Sequence, residues 1–166
     1  MKTSIVIMGV AGCGKSSLGA ALARAEGLRL IEGDDYHSAE SRAKMSQGIA
    51  LTDADRDGWL TRLAEELRAA ADGAVLSCSA LKRQYRERLR AAAPGLRFVF
   101  IDIGREQAQQ RVATRQHFFS TSLVDSQFAT LEPPTGEPGV LRVDALEPLD
   151  QLQAKVSAWL QQATPA

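Results

Sequence analysis

Apolar and polar positions follow two rhythms along this chain. Ser4-Ile5-Val6-Ile7-Met8 is a short, nearly unbroken apolar run of the kind a buried strand makes. Leu18, Ala21, Leu22 and Ala25 then recur at helical spacing. The same switching continues downstream. It predicts strands near residues 3–8, 28–32, 74–78, 97–102 and 139–143. It predicts helices near 15–26, 39–47, 53–72, 82–93, 105–116 and 148–162. Strands alternating with amphipathic helices imply a parallel sheet covered by helices on both faces. Trp59, Leu60, Leu63, Ala64 and Leu67 supply one buried stripe. Thr52 with Asp55 predicts a capping box at the start of that helix, Gly73 its C-cap, and Ser79 a cap for the helix beginning near Lys82. His117 to Glu137 breaks the rhythm with adjacent phenylalanines, small polar residues and Pro133-Pro134-Thr135-Gly136. It reads either as a mobile flap or as a surface excursion with a short helix. There is no internal repeat or linker, so one domain over residues 1–166 is expected.

Composition narrows the class. Lys+Arg and Asp+Glu are both 20, and a net charge of zero argues against a nucleic-acid or membrane-surface protein. No apolar run approaches the length of a membrane span, and no signal peptide is expected. Two cysteines and two histidines make no convincing zinc site or disulfide framework, so a cytoplasmic location is expected.

The chemistry starts at Gly9-Val10-Ala11-Gly12-Cys13-Gly14-Lys15-Ser16, which fits G-x-x-x-x-G-K-[ST] without mismatch between a predicted strand and a predicted helix. Glycines let backbone N–H groups close around phosphate oxygens, and the helix start adds further donors. Lys15 is expected to reach the outer phosphates of ATP, and Ser16 to ligate Mg²⁺. Nucleotide contacts are assigned to Gly9, Ala11, Gly12, Cys13, Gly14, Lys15, Ser16 and Ser17. Cys13, next to the helix N-terminus, is expected to be acidified, so that its oxidation or alkylation blocks ATP. Cys78 falls in a predicted buried strand and is read as a core residue. The second strand ends in Glu32-Gly33-Asp34-Asp35-Tyr36-His37. Asp34 is placed to accept a proton or hydrogen bond from a substrate hydroxyl, and Glu32 to organise water around Mg²⁺. His37 is equally readable as a structural residue. Lys82 lies just past the third strand, where a cation could meet an anion, and Arg86 follows one turn later. Arg111 and Arg115, four apart, suit a nucleotide clamp or a pair of surface arginines.

Taken together these pieces resemble the bacterial gluconate kinases, a family of P-loop small-molecule kinases. The match spans nearly the whole chain. Beyond the P-loop it rests on Gly33-Asp34 with His37, on Lys44-Met45, Gly48 and Leu51, and on Asp53-x-Asp55-Arg56-x-x-Trp59-Leu60. The most distinctive piece is Cys78-Ser79-Ala80-Leu81-Lys82 followed by Tyr85-Arg86. Arg111, Arg115, His117-Phe118 and Ser126-Gln127-Phe128-x-Thr130-Leu131-Glu132-Pro133-Pro134 complete it. The resemblance implies transfer of the γ-phosphoryl of ATP to the 6-hydroxyl of D-gluconate. It implies an adenylate-kinase-like, three-layer α/β/α fold with sheet order 2-3-1-4-5 and a lid at about 105–137. It implies substrate contacts at Asp34, His37, Arg56, Lys82, His117 and Gln127, with Lys15, Asp34 and Lys82 catalytic, and a homodimer. A carboxylate with many hydroxyls needs cations, here Arg56 and Lys82, and mixed donors and acceptors. Glu32, Ser41 and Ala50 stand where the family usually has Asp, Asn and Pro. These departures bear on substrate preference more than on reaction type.

Other readings fit less. A shikimate kinase should show a run of three glycines, and an adenylylsulfate kinase does not explain Cys78 to Lys82. A guanine-nucleotide switch should carry N-K-x-D, which is missing, and a nucleic-acid kinase should carry a basic face studded with aromatics.

Overall fold

The computed structural model describes residues 3–114 and 121–162. Five strands, β1 (Ile5–Met8), β2 (Arg29–Glu32), β3 (Ala74–Ser77), β4 (Arg97–Asp102) and β5 (Val140–Asp144), form one sheet in the order β2-β3-β1-β4-β5. Every pairing is parallel, with Ile7 opposite Ser77 on one side and Val99 on the other. Among the described residues seven α-helices accompany the sheet: α1 (Lys15–Glu26), α2 (Ala39–Ser46), α3 (Asp53–Ala69), α4 (Arg83–Ala92), α5 (Arg105–Thr114), α6 (Thr121–Thr130) and α7 (Leu149–Leu160).

The central strands read as unbroken apolar runs because both their faces are covered. Ile5 and Ile7 point into one core with Leu18, Leu22, Val99 and Val156, on the side of α1 and α7. Val6 and Met8 point into the other with Trp59, Leu60, Leu63, Tyr85 and Leu89, on the side of α3 and α4. The hydrophobic stripe expected on α3 is therefore its buried face. Its capping box is present: the Thr52 side chain accepts from the Asp55 N–H, and the Asp55 carboxylate accepts from the Thr52 N–H. Lys44 donates to both oxygens of Asp55 at 2.9 Å, tying α2 to the same corner.

Two local expectations are corrected, and the short helix expected in one reading of His117 to Glu137 is present. The α3 helix stops at Ala69, and Gly73 (φ +86°) belongs to the turn after its Ala70 cap. Ser79 does not cap α4. Lys82 occupies the cap position without a side-chain capping bond, and the Arg83 N–H donates instead to the Glu132 carboxylate at 2.9 Å. The segment that broke the rhythm contains α6, whose Val124 is fully buried in the α1/α7-side core. That packing makes it more than a surface excursion.

Candidate active site

The C-terminal ends of β1 and β3 lie side by side at the middle of the sheet, with the edge strand β2 beside β3, where a doubly wound α/β fold opens a crevice. One cleft there is lined by Ala11, Gly12, Gly14, Lys15 and Ser16 from the P-loop side. Asp34, His37, Met45, Leu51, Arg56, Ser79, Val112 and Gln127 line it from the other elements.

On the P-loop side the backbone is as tight as the glycine spacing requires. Gly12 has φ +84°, and a Cβ there would sit 2.8 Å from the Ala108 carbonyl oxygen. Only glycine combines that conformation with that approach. The Lys15 ammonium lies 3.0 and 3.1 Å from the carbonyl oxygens of Gly9 and Val10. The Ser16 hydroxyl donates to Glu32 Oε2 at 2.8 Å. Glu32 Oε1 is buried without a hydrogen-bond partner among the described residues. A hydroxyl oxygen beside a carboxylate with an unused buried oxygen is a donor set suited to a hard divalent cation and its water shell.

Cys13 corrects the sequence reading. The thiol is buried, and burial pushes its pKa up more strongly than the Lys15 charge and hydrogen bond pull it down. It is a packed side chain under the loop rather than an acidified one. Cys78, buried just past β3, is pushed up to about 12 for the same reason.

On the facing side, β2 runs into a short 3₁₀ turn, Gly33–Tyr36. Gly33 packs so closely on β3 that a Cβ would fall 2.5 Å from the Ser77 carbonyl oxygen. Its own carbonyl accepts from the Trp59 indole at 2.7 Å. This anchor presents the Asp34 side chain, 67% exposed, at the cleft. His37 stacks on Trp59 with ring centroids 4.4 Å apart and Nε2 3.9 Å from Asp34 Oδ1. Burial lowers the His37 pKa to about 4, against the pull of Asp34, and Arg56 adds to the lowering. The imidazole is therefore neutral at physiological pH.

Arg56 is buried on α3, with its guanidinium 5.6 Å over the Tyr85 ring and one hydrogen bond to the Tyr85 hydroxyl at 3.3 Å. Tyr85 donates in turn to Asp53, which also accepts from Lys82 at 2.9 and 3.1 Å. The bonds from Tyr85 and then Lys82 hold the Asp53 carboxyl below its usual range. Lys82 itself does not line the cleft. Its ammonium is drawn to Asp53, 29 residues earlier in the chain, so two partners, Asp53 and Tyr85, separate it from Arg56.

The turn between β3 and α4 is held from outside. Ala80 is the one described non-glycine residue with positive φ, at +46°, and it is completely buried. Its carbonyl accepts from the fully buried Arg86 at 2.7 Å. Arg86 also donates to the Glu132 carbonyl and to both oxygens of Glu137. Burial pushes the Glu137 pKa up, but the bonds from Arg86 and Arg90 outweigh it and keep the carboxyl below its usual range. Ser79, in this turn, lines the cleft and accepts from the Gly9 N–H at 3.3 Å. The roles of Tyr85, Glu132 and Glu137 were not assigned from sequence, and Trp59 was read only as part of a buried stripe. Tyr85 and Glu132 have a trace there in the motifs, and Glu137 has none.

Gln127 on α6 meets the P-loop directly, where its Oε1 accepts from the Ala11 N–H at 2.7 Å. Arg111 donates to the carbonyls of Gly12, Cys13 and Ala145, so it braces the underside of the P-loop. It also borders a groove with Gly14, Ser17, Thr114, Glu147 and Leu149. Arg115 and His117 lie outside the described residues. No described helix is long and apolar enough to cross a membrane.

Comparison with known proteins agrees with this geometry. The family described as "AAA domain" matches residues 5–134. The chain is 45% identical over 143 residues to a gluconokinase of Gluconobacter oxydans (strain 621H), covering 84% of this chain and 80% of that one. A crystal structure of a gluconokinase from Sinorhizobium meliloti 1021 superimposes with a TM-score of 0.88 at 46% identity, covering 95% and 91% of the two chains. An unliganded sugar kinase from Janibacter sp. HTCC2649 superimposes with a TM-score of 0.92 at 39% identity, covering 98% and 96%.

Proposed function

The chain belongs to the gluconokinase family, and on that premise we propose that it transfers the γ-phosphoryl group of ATP to the 6-hydroxyl of D-gluconate. The observation that carries this reading is one cleft holding both halves of the chemistry. Lys15 and the P-loop stand on one wall, and Asp34, His37 and a buried Arg56 on the other.

Phosphoryl transfer needs little covalent help from a protein, so positioning and charge dominate. Gly12, Gly14 and Lys15 hold the phosphates, with Lys15 exchanging the Gly9 and Val10 carbonyls for phosphate oxygens. The groove beside Ser17, Arg111 and Glu147 takes the nucleoside end. Ser16 and Glu32 would hold Mg²⁺, the chemistry supplied there being neutralisation of charge on the outer phosphates.

Arg56 pairs with the gluconate carboxylate. A guanidinium that is buried with one neutral partner has donors to spare, and a carboxylate fills them in fork geometry. Neutral His37 donates or accepts for a substrate hydroxyl. Asp34 accepts the hydrogen bond of the attacking hydroxyl and takes its proton as the bond to phosphorus forms. Lys82 supports this wall through Asp53 and Tyr85, and swings to the substrate anion if that pair opens. The region from about 105 to 137, with Arg115, His117 and Gln127, covers the cleft as a lid. Glu132 and Glu137 anchor its C-terminal end. We further propose a cytoplasmic homodimer, which light scattering on the purified protein tests.

The deciding experiment is coupled ADP release from Mg-ATP with D-gluconate, other aldonates, shikimate, adenylylsulfate and no acceptor. Strong turnover with gluconate alone is expected. Turnover with a different acceptor retains a kinase but overturns the substrate. ATP binding without acceptor-dependent turnover overturns the kinase.

A further inference from the structure

Gln127 is expected from resemblance to touch the sugar acid, yet the one hydrogen bond its side chain makes among the described residues goes to the P-loop. The direction of that bond is fixed. A backbone N–H can only donate, so the atom facing Ala11 is the amide oxygen. With Oε1 held at 2.7 Å, the Nε2 group is the end left to face the cleft that Gln127 lines with Lys15, Asp34 and Arg56. An amide pinned by its oxygen presents donors only. Donors complement an anion better than they complement sugar hydroxyls, which offer donors and acceptors alike.

The support behind the amide points the same way. The α6 backbone is fixed by the burial of Leu123 and Val124 and by the Glu132 N–H, which donates to the Leu81 carbonyl at 2.8 Å. The contact at Ala11 joins residues 116 apart, so it is a tertiary choice and not a local accident.

We infer that Gln127 is a phosphoryl-side catalytic residue: the Ala11 N–H orients its amide so that Nε2 donates to the γ-phosphoryl group rather than to the sugar acid. This inference rests on the kinase reading above and refines it. As charge spreads over the phosphoryl oxygens in transit, a fixed donor stabilises them without reorganising.

Gln127→Glu separates the two faces of the amide. A carboxylate still accepts from the Ala11 N–H but puts an anion where the donor was. Gln127→Ala removes both. The first measurement is binding of ADP alone and of ADP with beryllium fluoride, a γ-phosphoryl mimic, in magnesium buffer without gluconate. The second is steady-state kinetics, with thermal melts to check folding. For Gln127→Glu, affinity for the mimic should fall about ten- to a hundredfold, the loss expected for a hydrogen bond to a charged group. ADP affinity and the gluconate KM should stay within about twofold, and kcat should fall with the mimic's affinity. Unchanged mimic binding with a raised gluconate KM would return Gln127 to the sugar-acid site and overturn the inference. Tighter mimic binding by Gln127→Ala would make the residue a plug of the P-loop and overturn it as well. The mimic experiment needs no acceptor, so it stands apart from a failure of the gluconate assignment, which the acceptor panel alone reads.

Discussion

Arg56 and Arg86 are both buried arginines against the same sheet face, and their surroundings could hardly differ more. Arg86 is saturated: two backbone carbonyls and both oxygens of Glu137 surround its guanidinium, and the Glu137 side chain is only 4% exposed. Arg56 has one hydrogen bond, to the neutral Tyr85 hydroxyl, and no carboxylate within ion-pair distance among the described residues. A buried cation without an anion is costly, and proteins keep one only where something else compensates it. In Arg86 the compensation is internal and permanent, so the residue is part of the frame. In Arg56 no such internal partner is present among the described residues, and on the proposed function the substrate carboxylate in the cleft supplies the compensation. Burial alone distinguishes neither. The partner count does.

This contrast is open to breakage. The largest effect is expected at Arg86→Ala, which leaves the buried Glu137 carboxylate with only Arg90 among the described residues and frees the strained Ala80 turn. Breaking such a pair costs about 3–5 kcal/mol. For a chain of this size that lowers Tm by roughly 10 °C or more, as a thermal melt will read. A loss under about 1 kcal/mol would mean that Arg86 is not the clamp of this turn. Arg56→Ala should do the reverse. Stability should hold or rise slightly, while the gluconate KM rises about ten- to a hundredfold, the worth of a charge-assisted hydrogen bond. Equal damage to Tm would erase the distinction between the two arginines.

His37 gives a pH test of the same wall. Its pKa falls from 6.5 to about 4 on folding, so between those values the unfolded chain binds a proton that the folded chain refuses. Its contribution is complete above pH 6.5 and is lost as the pH falls toward 4. Urea melts at pH 7 and 4.5 should show wild type losing about 2–3 kcal/mol more than His37→Phe, which keeps an aromatic ring against Trp59. Parallel losses in the two proteins would mean that His37 does not titrate this way. The smallest effect is expected at Tyr85→Phe. It deletes the one bond that orients Arg56, so KM should rise about two- to tenfold with kcat nearly unchanged. A fall in kcat at constant KM would place Tyr85 in the chemistry instead of behind Arg56.

The site was legible in the sequence wherever its residues are contiguous. The P-loop, the Gly33-Asp34 turn and the Thr52–Asp55 capping box each complete their geometry within a few residues, so spacing is enough. Legibility failed where burial had to be known first. Cys13 was read from its nearness to a helix start, but a thiol with 2% exposure obeys desolvation before it obeys a dipole. Lys82 was read from its place just past the third strand, as a cation able to meet an anion. Its partner Asp53 arrives from the far end of α3. The α6 helix was obscured because it buries only a narrow side, chiefly Leu123 and Val124, within a run of small polar residues.

By itself, then, the sequence determined the parallel sheet and the phosphate loop. Strands covered on both faces must be continuously apolar, and a loop that wraps phosphate with its own backbone must carry glycine at set intervals. The resemblance of its ordered motifs carried the sugar-acid expectation. Only the tertiary structure decided which charges are spent and which are available. It closed Arg86 on Glu137, drew Lys82 to Asp53, set Gln127 on Ala11 and left Arg56 facing the cleft. Electrostatic energy depends on distance and on exclusion of water, and neither exists for residues 29 to 116 apart until the chain has folded.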